Sequence, residues 1–206
     1  MIKAKHHLLV YSFFRWYAHV KMKSHFNSVK IEENIDVSNN AVLLIANHIS
    51  WWDGFWCLFL STTIFKKKFY FMMLEKELRK RWLFSYSGGF SVPHGGRSML
   101  ESINYTADIL LDKKNLVLMF PQGKMHSMYN DQVKFQKGIE KIIEKTTVKP
   151  KLVFMVSMTE YFEHQKPDIY FHMKEFDNTD YSVAEIEKAY NSFYKTCITK
   201  HKNLYL

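Results

Sequence analysis

The sequence predicts an α/β fold: one domain with a central mixed, mainly parallel sheet flanked by helices, and an N-terminal amphipathic helix. Short apolar runs of strand length alternate with longer stretches of helical periodicity, the pattern of helices packed on a sheet. No Gly/Ser/Pro-rich linker divides the 206 residues, a length that buries one sizeable core. Hydrophobic residues make up 47% and charged residues 24%, which excludes a disordered or fibrous chain.

Residues 7–26, HLLVYSFFRWYAHVKMKSHF, place Leu8, Leu9, Phe13, Trp16, Tyr17 and Val20 at helical spacing, with Arg15, Lys21 and Lys23 between them. Aromatic rings beside basic residues suit a helix lying in a lipid interface, and equally one packed on the domain's own core. The run AVLLIA (41–46) reads as a buried strand that stops at Asn47 and His48. GFWCLFLSTTIF, after Asp53, is long and apolar enough for a buried or membrane-facing helix. Further strands are expected at 69–73, 116–120, 151–158 and 168–174, and helices at 98–114, 133–146 and 182–201. Ser182 followed by Glu185 is a capping-box signal for the last helix.

Aromatic residues reach 17% and methionines number 11, a supply of soft apolar surface that membrane interfaces and lipid channels favour. The net charge of +9 attracts anionic partners: nucleic acid, anionic lipid headgroups or an acidic carrier protein. No nucleic-acid motif accompanies it. The densest cations are Lys66, Lys67 and Lys68, then Lys76, Arg79, Lys80 and Arg81. Cys57 and Cys197 stand in unlike contexts without metal-ligand spacing, so neither a disulfide framework nor a zinc site is expected, and a reducing compartment fits. No apolar run reaches the roughly 18 residues of a membrane span, and no signal-peptide pattern opens the chain.

The central motif is Asn47-His48-Ile49-Ser50-Trp51-Trp52-Asp53, directly after a predicted strand. On a continuous helix, residues five apart sit roughly 140° apart and cannot face each other. His48 and Asp53 meet only if the histidine lies on a strand-end turn and the aspartate on the first turn of the next helix. There the carboxylate would accept one imidazole N–H, fix the tautomer and raise the basicity of the other nitrogen, making a general base. A bare reading makes Asp53 a helix cap and His48 a surface histidine. The same spacing recurs at His126 and Asp131, in a polar stretch with no strand immediately before it.

Three blocks follow one another in order: Asn47-His48 to Asp53, GGFSVPHGGRS (88–98) and FPQG (120–123). In this order the chain resembles the PlsC-like glycerolipid acyltransferase superfamily over roughly residues 40–175, whose blocks run NHxxxxD, a segment ending in a substrate-contacting Arg, and FPEGTRS. The resemblance implies a catalytic core at 40–175 after an interfacial helix within 1–30. It implies His48 as base and Asp53 as its partner. Asn47, Arg97, Phe120, Pro121, Gln122, Gly123 and Lys124 would bind substrate. It further implies acyl transfer from a thioester of acyl-carrier protein or coenzyme A to a lipid acceptor, with no metal or other cofactor, by an enzyme held peripherally on the anionic cytoplasmic face of a membrane. Oxyanion donors would be backbone N–H groups at the helix start after His48.

Two departures matter. Gln122 replaces the usual Glu, keeping shape but not charge. Met125 replaces the usual Arg, removing a bidentate phosphate fork and leaving Lys124 as the nearest cation, so a phosphate-free headgroup enters as an alternative. The Gly88-Gly89 and Gly95-Gly96 pairs allow close backbone approach to a ligand or simply make turns, with His94 between them. Rival readings are a hydrolase or metal enzyme using His48, Asp53 and His126, and a non-enzymatic basic module for membrane or nucleic acid.

Overall fold

The computed structural model describes residues 1–33, 35–92, 97–136 and 138–204, with Arg97 and Ser98 described by their backbone alone. The elements are α1 (Leu8–His25), β1 (Val29–Glu32), β2 (Val42–Ala46), α2 (Asp53–Thr63), β3 (Lys68–Leu74), α3 (Glu75–Lys80), a 3₁₀ turn (Trp82–Ser87), β4 (Gly89–Val92), α4 (Arg97–Ile109), β5 (Asn115–Met119), α5 (Ile139–Lys145), β6 (Lys151–Glu160), β7 (Asp168–Glu175) and α6 (Val183–Lys202). The seven strands form one sheet in the order β1-β7-β6-β2-β5-β3-β4. Every neighbouring pair is parallel except β6 with β7, so the mixed, mainly parallel α/β domain expected from the pattern is the one observed.

All five residues of β2 are buried, as a central strand covered on both faces requires. Its side chains alternate between two cores. Leu43 and Ile45 join Ile139, Ile142, Ile186 and Tyr190 of α5 and α6. Val42, Leu44 and Ala46 join Ala18 and Met22 of α1 and Phe55, Cys57 and Leu60 of α2. β2 therefore ends between β5 and β6, with Ile45 paired to Met119 on one side and Ala46 to Met155 on the other. Ligands of open α/β sheets bind beyond such carboxyl ends.

α1 is apolar on two sides. Ala18 and Met22 are buried against α2, while Leu8, Leu9, Phe13, Trp16 and Val20 are exposed. Among the described residues no helix is long and apolar enough to cross a membrane.

Several elements differ from expectation. The helix expected at 133–146 forms only from Ile139. Before it, the N–H groups of Val133 and Phe135 donate to Asn191 and Glu187 of α6, and that of Gln136 donates to the Pro121 carbonyl, so they are withheld from a helical ladder. The helix expected at 98–114 ends at Ile109, where the Asn115 side chain caps its carbonyl. Two short strands, β1 and β4, and α3 carry no clear periodicity and emerge only from the structure. Gly88, with φ of 104°, approaches protein and not ligand: a Cβ there would stand 2.1 Å from the Phe69 carbonyl oxygen.

Candidate active site

β2 delivers Asn47 and His48 to the carboxyl edge of the sheet, and α2 begins at Asp53. The chain turns between them, and His48 Nδ1 lies 2.8 Å from Asp53 Oδ2. The same oxygen accepts the backbone N–H of Ile49 at 2.7 Å and of Ser50 at 2.9 Å. One carboxylate oxygen thus ties the turn together and orients the ring. Asp53 is 1% exposed and its other oxygen, Oδ1, has no hydrogen-bond partner. Burial pushes the Asp53 carboxyl above its ordinary value, and the hydrogen bonds from His48, Ser50 and Ile49 pull the other way without offsetting it.

The imidazole is fixed on its face as well as its edge. Phe120, the residue after β5, stacks on it with centroids 4.1 Å apart and planes 10° from parallel. The His48 side chain stays 23% exposed, and its Nε2 makes no hydrogen bond among the described residues. With Nδ1–H donated to Asp53, Nε2 carries the lone pair that can accept a proton.

The FPQG turn frames His48 from its backbone. Gln122, 5% exposed, accepts the His48 N–H on Oε1 at 2.6 Å. His126 donates its own N–H to the His48 carbonyl at 2.9 Å. Gln122, expected to face the acceptor, uses its amide oxygen to hold the His48 backbone in place. Asn47 is turned away too: its amide clasps Ser157 of β6, with Nδ2 donating to the carbonyl at 3.0 Å and Oδ1 accepting from the N–H at 2.9 Å. Pro121 is buried, whereas Gly123, with φ of 70°, and Lys124 are exposed at the tip of the turn. Arg97 opens α4, and its side chain lies outside the described residues, as do His94 and the Gly95-Gly96 pair.

Other expectations are corrected. The N–H groups of Ile49, Ser50, Trp52 and Asp53 are committed to Asp53, Ser50 Oγ and the Ser50 carbonyl, so the helix start after His48 does not present them to an oxyanion. Lys67 is no part of a surface patch: it is 7% exposed, its Nζ donates to the Lys113 carbonyl at 2.6 Å, and burial lowers its pKa. His126 contacts Asn130 and not Asp131. Among the described residues no three His, Cys, Asp or Glu side chains gather to hold a metal.

A cavity of about 450 Å³ opens beside the His48–Asp53 turn. Its lining includes Ser50 and Trp56, His25 at the end of α1, Thr159 near the end of β6, and Tyr161 and Lys166 between β6 and β7. No signal in the sequence marked His25, Thr159, Tyr161 or Lys166, since they come from segments far apart in the chain and have no shared spacing.

Residues 27–159 match the family model described as Acyltransferase. No curated protein sequence matches the chain. Among solved structures, the chain is similar to the crystal structure of the 1-acyl-sn-glycerophosphate (LPA) acyltransferase, PlsC, from Thermotoga maritima, at 17% identity and a TM-score of 0.62, covering 92% of this chain and 78% of that one. The family model spans well over half of the sequence and contains both the His48–Asp53 turn and FPQG, and the chain belongs to the acyltransferase family.

Proposed function

We propose that this chain moves a fatty acyl group from a thioester of acyl-carrier protein or coenzyme A to a hydroxyl of a lipid acceptor, at the cytoplasmic face of a membrane. The observation that carries the reading is the clamped imidazole: Nδ1 on the Asp53 carboxylate, the ring against Phe120, and Nε2 left to take a proton. Nε2 removes the acceptor hydroxyl proton as that oxygen attacks the thioester carbonyl. The tetrahedral intermediate then breaks its C–S bond, and the imidazolium returns the proton to the departing thiolate. Ester and free thiol result, without an acyl-enzyme. Neither cysteine competes as nucleophile, since burial pushes the Cys57 thiol well up and the Cys197 thiol to about 12.

Lys166 at the cavity beside Ser50 supplies the cation for an anionic, lysophosphatidate-like headgroup, with His25 next to it as a neutral hydrogen-bonding ring. A phosphate-free lyso-lipid is the second reading, favoured by the exposed Met125 where the family carries Arg. The outer row of α1, together with exposed Trp51, Trp82 and Leu83, suits insertion among headgroups, with Arg15 and Lys23 on anionic lipid.

The test is thiol release from acyl-coenzyme A or acyl-carrier protein, dependent on an added lyso-lipid, over a panel of anionic, zwitterionic and phosphate-free acceptors. His48→Ala in a folded protein lowers the rate by about 10²–10⁴-fold. Full transfer by that variant sinks the base mechanism, and no transfer to any acceptor by the wild type sinks the function.

A further inference from the structure

Away from the catalytic turn, two histidines face each other under the last turn of α6. His172 of β7 and His201 of α6 are 4% and 9% exposed, and their Nε2 atoms lie 2.8 Å apart. The outer nitrogen of each ring meets a carboxylate: His172 Nδ1 stands 2.9 Å from Glu32 of β1, and His201 Nδ1 stands 3.3 Å from Glu160 of β6. Lys200 also pairs with Glu32, the Tyr170 ring packs edge-on against His201, and Cys197 lies one turn earlier on α6. Glu33 acts on Cys197 from the same side.

Hydrogen-bond accounting then fixes the number of protons. Each Nδ1 must carry hydrogen to donate to its carboxylate, and a neutral ring so protonated has a bare Nε2. Two bare nitrogens would repel at 2.8 Å. One further proton between them turns the repulsion into a charge-assisted hydrogen bond. That proton also balances the cluster: Glu32 and Glu160 against Lys200 and one imidazolium. We propose that the His172–His201 pair is a single-proton clasp, holding three ring N–H hydrogens at neutral pH and locking the end of α6 to β1, β6 and β7. Burial pushes both imidazoles below their ordinary value and so opposes a second proton; Glu32 and Glu160 pull the other way without offsetting it, and the 2.8 Å approach of the two Nε2 atoms is what requires the first.

The clasp is placed to act on the cavity. Glu160 sits between Thr159 and Tyr161, both on the wall beside the catalytic turn. Losing the proton at alkaline pH leaves two bare Nε2 atoms facing each other at 2.8 Å; their repulsion pushes the rings apart, and His201 pulls at Glu160 and loosens that wall. The sign for stability follows from the unfolded chain, in which two histidines titrating near 6.5 share one proton on average at that pH. Below it the unfolded chain binds more protons than the clasp, above it fewer, so the clasp's contribution peaks near pH 6.5 and falls on both sides.

Histidine ring ¹⁵N–¹H spectra of the full-length chain count the hydrogens directly. Three on the pair at pH 7 are expected, and two, with both rings neutral, would overturn the clasp. Glu160→Gln, at a partly exposed position that does not threaten folding, lowers the pH at which the third hydrogen is lost by about one unit, a tenfold change in proton affinity. As that hydrogen leaves the wild type, amide exchange at Thr159–Tyr161, corrected for intrinsic rate, speeds up about tenfold. A titration unmoved by Glu160→Gln, or exchange that does not follow it, refutes the coupling to the wall.

Discussion

Gln122 offers the sharpest separation between holding the base and binding the acceptor. Its Oε1 takes the His48 N–H at 2.6 Å from a side chain only 5% exposed. Gln122→Met keeps length and volume while removing the acceptor, leaving that N–H without its partner in a largely water-free turn. The cost of such an orphan is about 1–3 kcal/mol. For a domain of this size each kcal/mol shifts Tm by roughly 2–4 °C, so thermal unfolding should drop by about 2–12 °C. The His48 backbone then relaxes, and a displacement of the base approaching 1 Å costs about 10²-fold in kcat. Gln122→Glu keeps an oxygen in the same place, so its kcat should exceed that of Gln122→Met. Circular-dichroism melts and initial rates at saturating and limiting acceptor measure both quantities. If Gln122→Met left Tm and kcat at wild-type values and raised only the acceptor KM, Gln122 would be an acceptor contact and the reasoning here would be wrong.

Asp53→Asn keeps an oxygen for the Ile49 and Ser50 N–H groups, so the fold persists, but it withdraws the charge that orients His48. kcat should fall by about 10²-fold or more with little change in acceptor KM, and a variant within twofold of wild type would remove Asp53 from the mechanism. Replacing Leu9, Phe13 and Trp16 together with Ser leaves the packed side of α1, Ala18 and Met22, untouched. Sedimentation with anionic vesicles should then lose most bound protein while Tm stays; unchanged sedimentation would move the lipid contact elsewhere. His6 donates its Nε2–H to the Phe69 carbonyl at 2.8 Å, and burial lowers its pKa to about 4. A histidine depressed in the fold binds fewer protons than its unfolded counterpart between pH 6.5 and about 4, so its contribution to stability is lost as pH falls through that window. His6→Gln should flatten the acid side of a Tm-against-pH curve, and an equal slope in both proteins would contradict the assignment.

The central strands were legible because a strand buried on both faces must be apolar where it is covered, and β2, residues 116–119 of β5 and residues 152–156 of β6 are unbroken apolar runs. The His48–Asp53 pair was legible for the geometric reason that a strand before it and a helix after it are what let residues five apart meet. Edge strands hide for the opposite reason: β1 and β4 have four residues each, too few to fix a period, and the alternation of β1 (Val29-Lys30-Ile31-Glu32) does not follow its burial, since Ile31 is exposed. A run of lysines cannot announce that Lys67 turns inward to the Lys113 carbonyl. His172 and His201 are 29 residues apart and meet only because α6 returns across β7.

Asn47 and Gln122 are the instructive cases, since the motif located them and misjudged their direction. A tight turn at a sheet edge strands backbone donors and acceptors that water reaches poorly, and each must be paired. The side chains flanking the base meet that need: Gln122 takes the His48 N–H, His126 returns an N–H to the His48 carbonyl, and Asn47 stitches β2 to Ser157. Polar residues beside a catalytic group thus divide between substrate contact and backbone satisfaction, and burial decides which. At 1% and 5% exposure, Asn47 and Gln122 fall on the backbone side. On the proposed function, acceptor selectivity would lie further out, at the exposed Lys124 and the cavity residues His25 and Lys166. Lys166→Met should accordingly raise the KM for an anionic acceptor about tenfold or more, as loss of a charged hydrogen bond does, and leave that for a neutral one unchanged. Equal effects on both acceptors would place the headgroup elsewhere.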